Sequence, residues 1–192
     1  MTPHHVVVAA TGASGAAIPL RILERLATTT AVETHLVVSD AARRTFQYEV
    51  GQDAVERAVS LASRSYLISD VGAAIASGSF PTSGMIVAPC SMRTLAGIAA
   101  GLSDNLITRA ADVHLKERRR LVLMTRETPL HLGHLRNMCA VTEMGAVIMP
   151  PVPAFYNLPQ TVAEIVDHFA ARAIDLLNLP IARQSAVWHG QL

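Results

Sequence analysis

Three features of this 192-residue sequence predict an α/β fold, a three-layer doubly wound parallel sheet of the flavodoxin or Rossmann kind. Short apolar runs rich in Val, Leu and Ile alternate with amphipathic helical stripes along the chain. The runs are apolar at consecutive positions, as parallel strands covered on both faces require. Glycine- and serine-containing turns follow several of them, and ligands of such sheets sit beyond the carboxyl ends of strands.

The first strand is His5 to Ala10, ending in the turn Thr11-Gly12-Ala13-Ser14-Gly15. Leu20, Ile22, Leu23 and Leu26 then form a helical stripe, with Arg21, Glu24 and Arg25 on the other side. Glu33 to Val38 is a second strand, and Ser39-Asp40 caps a helix through Tyr48. Residues 53–63 read as a weakly specified helix, and 77–84 as a loop of Ser, Gly, Pro and Thr. Met85 to Ala88 is a strand that Pro89 breaks. Helices over Thr94 to Ala100 and Asn105 to Glu117 follow, divided by Gly101. Next come the strand Leu121 to Met124, a helix over His134 to Glu143 and the short strand Ala146 to Met149. Pro150-Pro151-Val152-Pro153 lacks the backbone donors of a helix or central strand. Thr161 to Leu177 is a final amphipathic helix. The expected organisation is one domain over 1–192, with 181–192 a C-terminal tail.

An apolar share of 51% with 16% charged residues excludes a disordered chain. Net charge is +1, which offers no global field for nucleic acid. No apolar run approaches the roughly 20 residues of a membrane span. Two cysteines, Cys90 and Cys139, fit a reducing cytoplasm better than a disulfide framework. The expectation is a soluble cytoplasmic protein that binds neither nucleic acid nor membrane.

The segment Leu115 to Leu130 holds the most chemistry. Lys116, Arg118, Arg119 and Arg120 precede an apolar strand, and Arg126-Glu127 follow it, an adjacent cation and carboxylate suited to anion binding and proton handling. At Thr11 to Gly15, backbone N–H groups and a helix start suit an anion. The spacing is not G-x-G-x-x-G, and Ser39 stands where a dinucleotide site has an acidic residue, so a mononucleotide is favoured over NAD. A turn that uses Gly12 and Gly15 for its shape alone explains that motif equally well. Ser91 and Thr94 have N-cap spacing, which by itself accounts for Ser91. Cys90 reads as a small buried hydrophobe. His4-His5, His131 and His134 lack a metal-ligand pattern and read as surface or capping residues. Arg109, Asp112 and Lys116 read as an ion-paired helix face, and Arg172 alone as a surface arginine. Phe155-Tyr156 lie in a loop stiffened by prolines, which holds a phenol in fixed geometry.

Together these segments closely resemble the UbiX-type flavin prenyltransferases, part of the flavin-containing decarboxylase-like family. The matching strings are TGASGA at 11–16, SGSFPTSGMIVAPCSMRTLAGIAAG at 77–101, LITRAADVHLKERRRLVLMTRETPLHLGHLRNM at 106–138 and GAVIMPPVPAFYNLPQ at 145–160. The resemblance runs in family order as far as Leu177. It implies a flavodoxin-like sandwich that binds FMN and dimethylallyl phosphate, assembles as a homododecamer and needs no metal. Its implied reaction is prenylation of reduced FMN at N5 and C6, giving the prenylated FMN used by UbiD-type decarboxylases. By the same resemblance Gly12, Ala13, Ser14, Ser39, Ser91, Met92, Arg93, Thr94 and Arg126 contact FMN. Tyr156 and Arg172 hold dimethylallyl phosphate, with Lys116, Ser77, Gly78 and Glu127 in the same pocket. Glu49 matches an active-site carboxylate, and Trp188 a tryptophan that closes over the site from a neighbouring subunit. Where the family has Arg-Trp, this chain has Val187-Trp188. Two other readings of the same fold are a flavin-dependent cysteine decarboxylase, whose helix-borne histidine and P-x-M-N-x-x-M-W-like motif are missing from the matching places, and a non-catalytic FMN-binding subunit of an aromatic-acid decarboxylase.

Overall fold

The structure is a computed structural model that describes residues 2–188 and 190; of the expected tail, 189 and 191–192 lie outside the described residues. One six-stranded sheet is built from β1 (His4–Ala10), β2 (Val32–Val38), β3 (Arg64–Tyr66), β4 (Thr82–Cys90), β5 (Arg120–Thr125) and β6 (Val147–Ile148). The strands lie in the order β3-β2-β1-β4-β5-β6, and every neighbouring pair is parallel. The doubly wound expectation is borne out, with the strand order of the Rossmann arrangement.

Helices cover both faces because the central strands are apolar at every position. The odd side chains of β1 (Val7, Ala9) face α4 (Met92–Ala99), α5 (Leu106–Lys116) and α6 (Leu132–Glu143), whose Leu95, Ile98, Leu106, Ile107, Ala110 and Val141 complete one core. Val6, Val8 and Ala10 face the other way, against α1 (Ala17–Leu26), α2 (Asp40–Glu49), α3 (Ala54–Leu61) and α7 (Val162–Asp175). Val6 to Ala10 are all fully buried, so truncating any of the three valines leaves a cavity in the centre of the sheet.

An ionic clamp joins α1 to α7 outside that second core. Asp167 accepts hydrogen bonds from Arg21 Nε (2.6 Å) and from Arg25 Nε and Nη2 (2.8 and 2.6 Å). Caps start two helices as the sequence indicated: Ser39 accepts from Ala42 N at 3.1 Å and Ser91 from Thr94 N at 3.3 Å; Thr161, expected inside the last helix, caps it instead, accepting from Glu164 N at 3.2 Å.

Two elements depart from expectation. β3 has no counterpart in the sequence reading, since it is three residues long and Arg64 and Ser65 are exposed. Pro89 does not end its strand: β4 runs to Cys90. The register against β5 shifts between Val87 and Cys90, so Pro89 sits at a bulge where no ladder donor is needed.

Candidate active site

The chain reverses winding direction between β1 and β4, so a crevice opens where their carboxyl ends separate. Thr11 fastens its floor. Its hydroxyl donates to Pro89 O at 2.7 Å and accepts from Ser91 N at 2.8 Å, tying the end of β1 to the start of α4. Ser39 N donates to Ala10 O at 3.0 Å, bringing α2 to the same rim, and Arg126 N donates to Cys90 O at 3.2 Å, bringing the end of β5.

The starts of α1, α2 and α4 therefore gather around one notch, each with backbone N–H groups outward, an arrangement that attracts an anion. Gly12 and Gly15 serve it in different ways. A Cβ on Gly12 would collide with Cβ of Ala41, so glycine is required for α2 to approach. Gly15 has φ +118°, a backbone that other residues avoid. Ser14 is exposed on this rim, while the buried Ala13 offers only its backbone. Met92 and Thr94 are half-buried in the first turn of α4, and Arg93 is exposed beside them.

Glu49, the last residue of α2, reaches into the notch. Its Oε2 accepts from Gly15 N and Ala16 N, both at 2.8 Å. Burial works to raise its pKa, but the Ser14 hydroxyl, the two N–H donors and the Arg126 charge outweigh it and hold the carboxyl below its usual range. Glu49 is thus an anion at neutral pH. Arg126 supplies the unmet demand. Its buried Nε has no hydrogen-bond partner among the described residues, nor has the buried Thr125 hydroxyl beside it. Buried donors left unpaired cost about 1–3 kcal/mol each, so a ligand acceptor belongs there. Phosphate-bearing, ring-containing ligands such as FMN meet these donors. Glu127 is exposed at the mouth, its carboxylate turned back to Thr128 N at 3.1 Å.

A second group lies beyond β6. The 3-10 turn Phe155–Asn157 exposes Tyr156, and Trp188 of the same chain packs edge-on against the Tyr156 ring at 5.5 Å. Trp188, expected to close over a neighbour's site, here contacts Tyr156 of its own chain. Asn157 Nδ2 and His168 Nδ1 are 3.2 Å apart, placing the turn against α7. Arg172 stands one helical turn past His168 on that side, and no side-chain partner holds it among the described residues.

The third group is displaced. Lys116 pairs with the adjacent Glu117, and a Cβ on Gly78 would lie 2.6 Å from Lys116 Nζ. Ser77 Oγ meets Ser79 Oγ at 2.9 Å, and Arg119 holds this loop through Gly78 O (2.6 Å) and Phe80 O (2.8 Å). Lys116 precedes β5 and Arg126 follows it, so six strand residues, about 20 Å, separate the two backbones. Lys116 also belongs to α5 and Arg172 to α7, on opposite faces of the sheet. The expectation that Lys116, Arg126, Tyr156 and Arg172 converge is corrected at the level of one chain: sequence proximity across a strand is not spatial proximity. Arg109 was read as a plain ion-paired residue. It does pair with Asp112 (2.8 Å), but its Nε also donates to Ala76 O at 3.1 Å, which sets it beside Ser77 on the face of Lys116. The seven-residue spacing of Arg109 and Lys116 was the available signal.

Cys90 is structural, as expected: it is fully buried and burial pushes its thiol up to about 12. His131 is a cap, accepting from Gly133 N at 3.0 Å. His134, expected to be a surface or capping residue like His131, has a buried Nδ1 with no partner among the described residues. Among the described residues no helix is long and apolar enough to cross a membrane.

Comparison with known proteins agrees with this geometry. The model of the family described as Flavoprotein matches residues 1–173. The flavin prenyltransferase UbiX of Salmonella typhimurium is 48% identical over 186 residues, covering 96% of this chain and 98% of that one. A crystal structure of AnUbiX (PadA1) in complex with FMN and dimethylallyl pyrophosphate superposes with a TM-score of 0.92 at 46% identity, covering 100% of both chains. A dodecameric FMN-dependent UbiX-like decarboxylase from Escherichia coli O157:H7 superposes with a TM-score of 0.91 at 47% identity, covering 97% of this chain and 100% of that one.

Proposed function

The chain belongs to the Flavoprotein family, within it to the UbiX-type flavin prenyltransferases, and on that premise we infer how its residues share the reaction. The enzyme moves the dimethylallyl group of dimethylallyl phosphate onto N5 and C6 of reduced FMN, and prenylated FMN is the product. The reduced flavin supplies the electron-rich atoms that take up the allylic carbon unit. The observation that carries the assignment of residues is the buried, unpartnered Nε of Arg126 beside the ionised Glu49, at the switch point of the sheet.

Backbone N–H groups at Gly12, Ala13 and Ser14 and the starts of α2 and α4, at Ser39 and at Ser91 to Thr94, bind the flavin and orient it. The departing phosphate carries roughly −1.5 to −2 charges near neutrality. Lys116, Arg126, Arg172 and the Tyr156 hydroxyl grip it as the C–O bond lengthens. Charge-assisted hydrogen bonds contribute roughly 1.5–3 kcal/mol each, so three or four stand in for the divalent ion that prenyl transfer otherwise uses. Ser77 and Gly78 position that phosphate with Lys116. Trp188 offers a π face to developing cationic charge. Glu49, already ionised, takes the proton lost from C6 on the carboxylate oxygen that Gly15 N and Ala16 N leave free, and Glu127 or the released phosphate delivers the proton that the new alkene takes up before ring closure.

One chain does not bring all these groups together, so the pocket is completed between copies. A homododecamer like that of the Escherichia coli relative provides the neighbour. We place the protein in the cytoplasm, where Cys90 and Cys139 stay free, and name a UbiD-type decarboxylase as the recipient of its product. The test is direct. Purified protein is incubated with reduced FMN and dimethylallyl phosphate, and the flavin is weighed by mass spectrometry. A five-carbon adduct is expected; unchanged FMN would instead support a non-catalytic flavin-binding subunit.

A further inference from the structure

At the end of the sheet opposite the flavin crevice, β1 and β2 carry a side-chain cluster that the transfer reaction does not use. Their register pairs His5 with Glu33 and Val7 with His35, so His5, Glu33 and His35 share one face. His5 Nδ1 is 3.1 Å from His35 Nε2 and 3.5 Å from Glu33 Oε2, and the three ligand atoms all lie within 4.8 Å of one another. We propose that His5, Glu33 and His35 form a binding site for a divalent transition-metal ion of the zinc class.

The donor set fits such an ion. Two imidazoles and a carboxylate match the borderline preference of zinc, and a fourth position is left for water. Two nitrogens bound at ~2.0 Å to one tetrahedral zinc lie about 3.3 Å apart, close to the separation seen here. The surroundings fit as well. Tyr66 Oη lies 2.8 Å from the other nitrogen of His35, so an Nδ1–H···Oη bond aims the Nε2 lone pair at His5, as an outer-sphere partner of a metal ligand does. Phe80 packs against both imidazoles, at 4.8 and 5.3 Å, and limits their freedom. His35 is only 1% exposed, whereas the Glu33 side chain is 40% exposed, which gives an ion a route in from solvent. The length of β1 separates this cluster from the flavin notch of its own chain by about 20 Å, so the ion is a clip across β1 and β2.

Without metal, the same geometry is a single proton shared between His5 and His35, and the test separates the two. Tag-free holoprotein, stripped with a chelator, is titrated with Zn2+ against a chromophoric competitor and separately with Co2+. One ion per chain is expected, with the strong visible absorption of low-coordinate Co2+ and a rise of a few degrees in the thermal midpoint. His5→Ala and Glu33→Gln should each weaken binding by about tenfold or more while prenylation of flavin is unchanged. Absence of stoichiometric binding by the wild type, or wild-type affinity in both variants, would overturn the proposal.

Discussion

Glu49 Oε2 accepts a hydrogen bond from Gly15 N at 2.8 Å, so the end of α2 is locked onto the start of α1 across the mouth of the flavin notch. Ala16 N joins the same oxygen. The lock consumes two of the donors that an anion would otherwise find at α1 and replaces them with a fixed negative charge. Glu49→Gln keeps an oxygen acceptor for both N–H groups but loses the charge. We expect it to fold and to bind FMN, with flavin prenylation slowed by about 100-fold, the lower range for a lost acid–base group. Single-turnover assays with FMN titration decide this, and wild-type turnover would remove Glu49 from proton transfer.

Arg126 is the cation whose removal should strike FMN binding itself. Its Nε is buried and has no partner among the described residues. Loss of one charge-assisted bond of roughly 1.5–3 kcal/mol corresponds to a fall in FMN affinity of about 10- to 100-fold in Arg126→Met. The same variant also lifts a charge that helps keep Glu49 ionised, so the Glu49 pKa should rise. Fluorescence titration of flavin measures the first effect. An unchanged Kd would show that Arg126 acts on the donor phosphate alone.

Most of the sheet was legible because its strands are buried on both faces and so read as unbroken apolar runs; Val6 to Ala10 and Leu121 to Met124 are instances. The three residues of β3 gave no such signal, since an edge strand with exposed Arg64 and Ser65 has the composition of a loop. Caps were legible from local chemistry at Ser39 and Ser91, where a hydroxyl precedes a helical stripe; Thr161, read as the first residue of its helix, proves to be its cap. What a single sequence hides is the partner of a side chain. His5 read as a surface residue because its neighbour, His35, is thirty residues away and meets it only through strand register. Lys116 and Arg126 read as neighbours because ten residues separate them, yet those residues include a whole strand.

Asp167 governs stability and not chemistry. Hydrogen bonds from Arg25 lower its pKa most, burial opposes them, and Arg21 adds to the lowering. A carboxyl whose folded pKa lies below its unfolded value stabilises the fold above about pH 4 and loses that contribution as pH falls through the folded pKa. Since Asp167 is about a third exposed, screening limits the clamp to about 1 kcal/mol. Asp167→Asn should therefore lower urea stability at neutral pH by about that amount, with the difference from wild type shrinking below about pH 4. A constant difference across the acid range would assign the effect to packing.

The division of ligands between copies has a sharp consequence. Lys116→Ala and Arg172→Ala should each abolish transfer while FMN stays bound, because both residues lie apart from the flavin notch. If one pocket takes Lys116 from one chain and Arg172 from another, an oligomer co-assembled from the two dead variants regains intact pockets. Random mixing at equal ratio leaves about one pocket in four with both native residues, so about a quarter of the wild-type rate should return. Were both residues drawn from the same chain, every pocket in the mixture would lack one of them, and the co-assembled protein would stay as inactive as its parents. Co-expression with two affinity tags, followed by mass analysis of the flavin product, distinguishes these outcomes, and the placement of α5 and α7 on opposite faces of the sheet is the reason to expect the first.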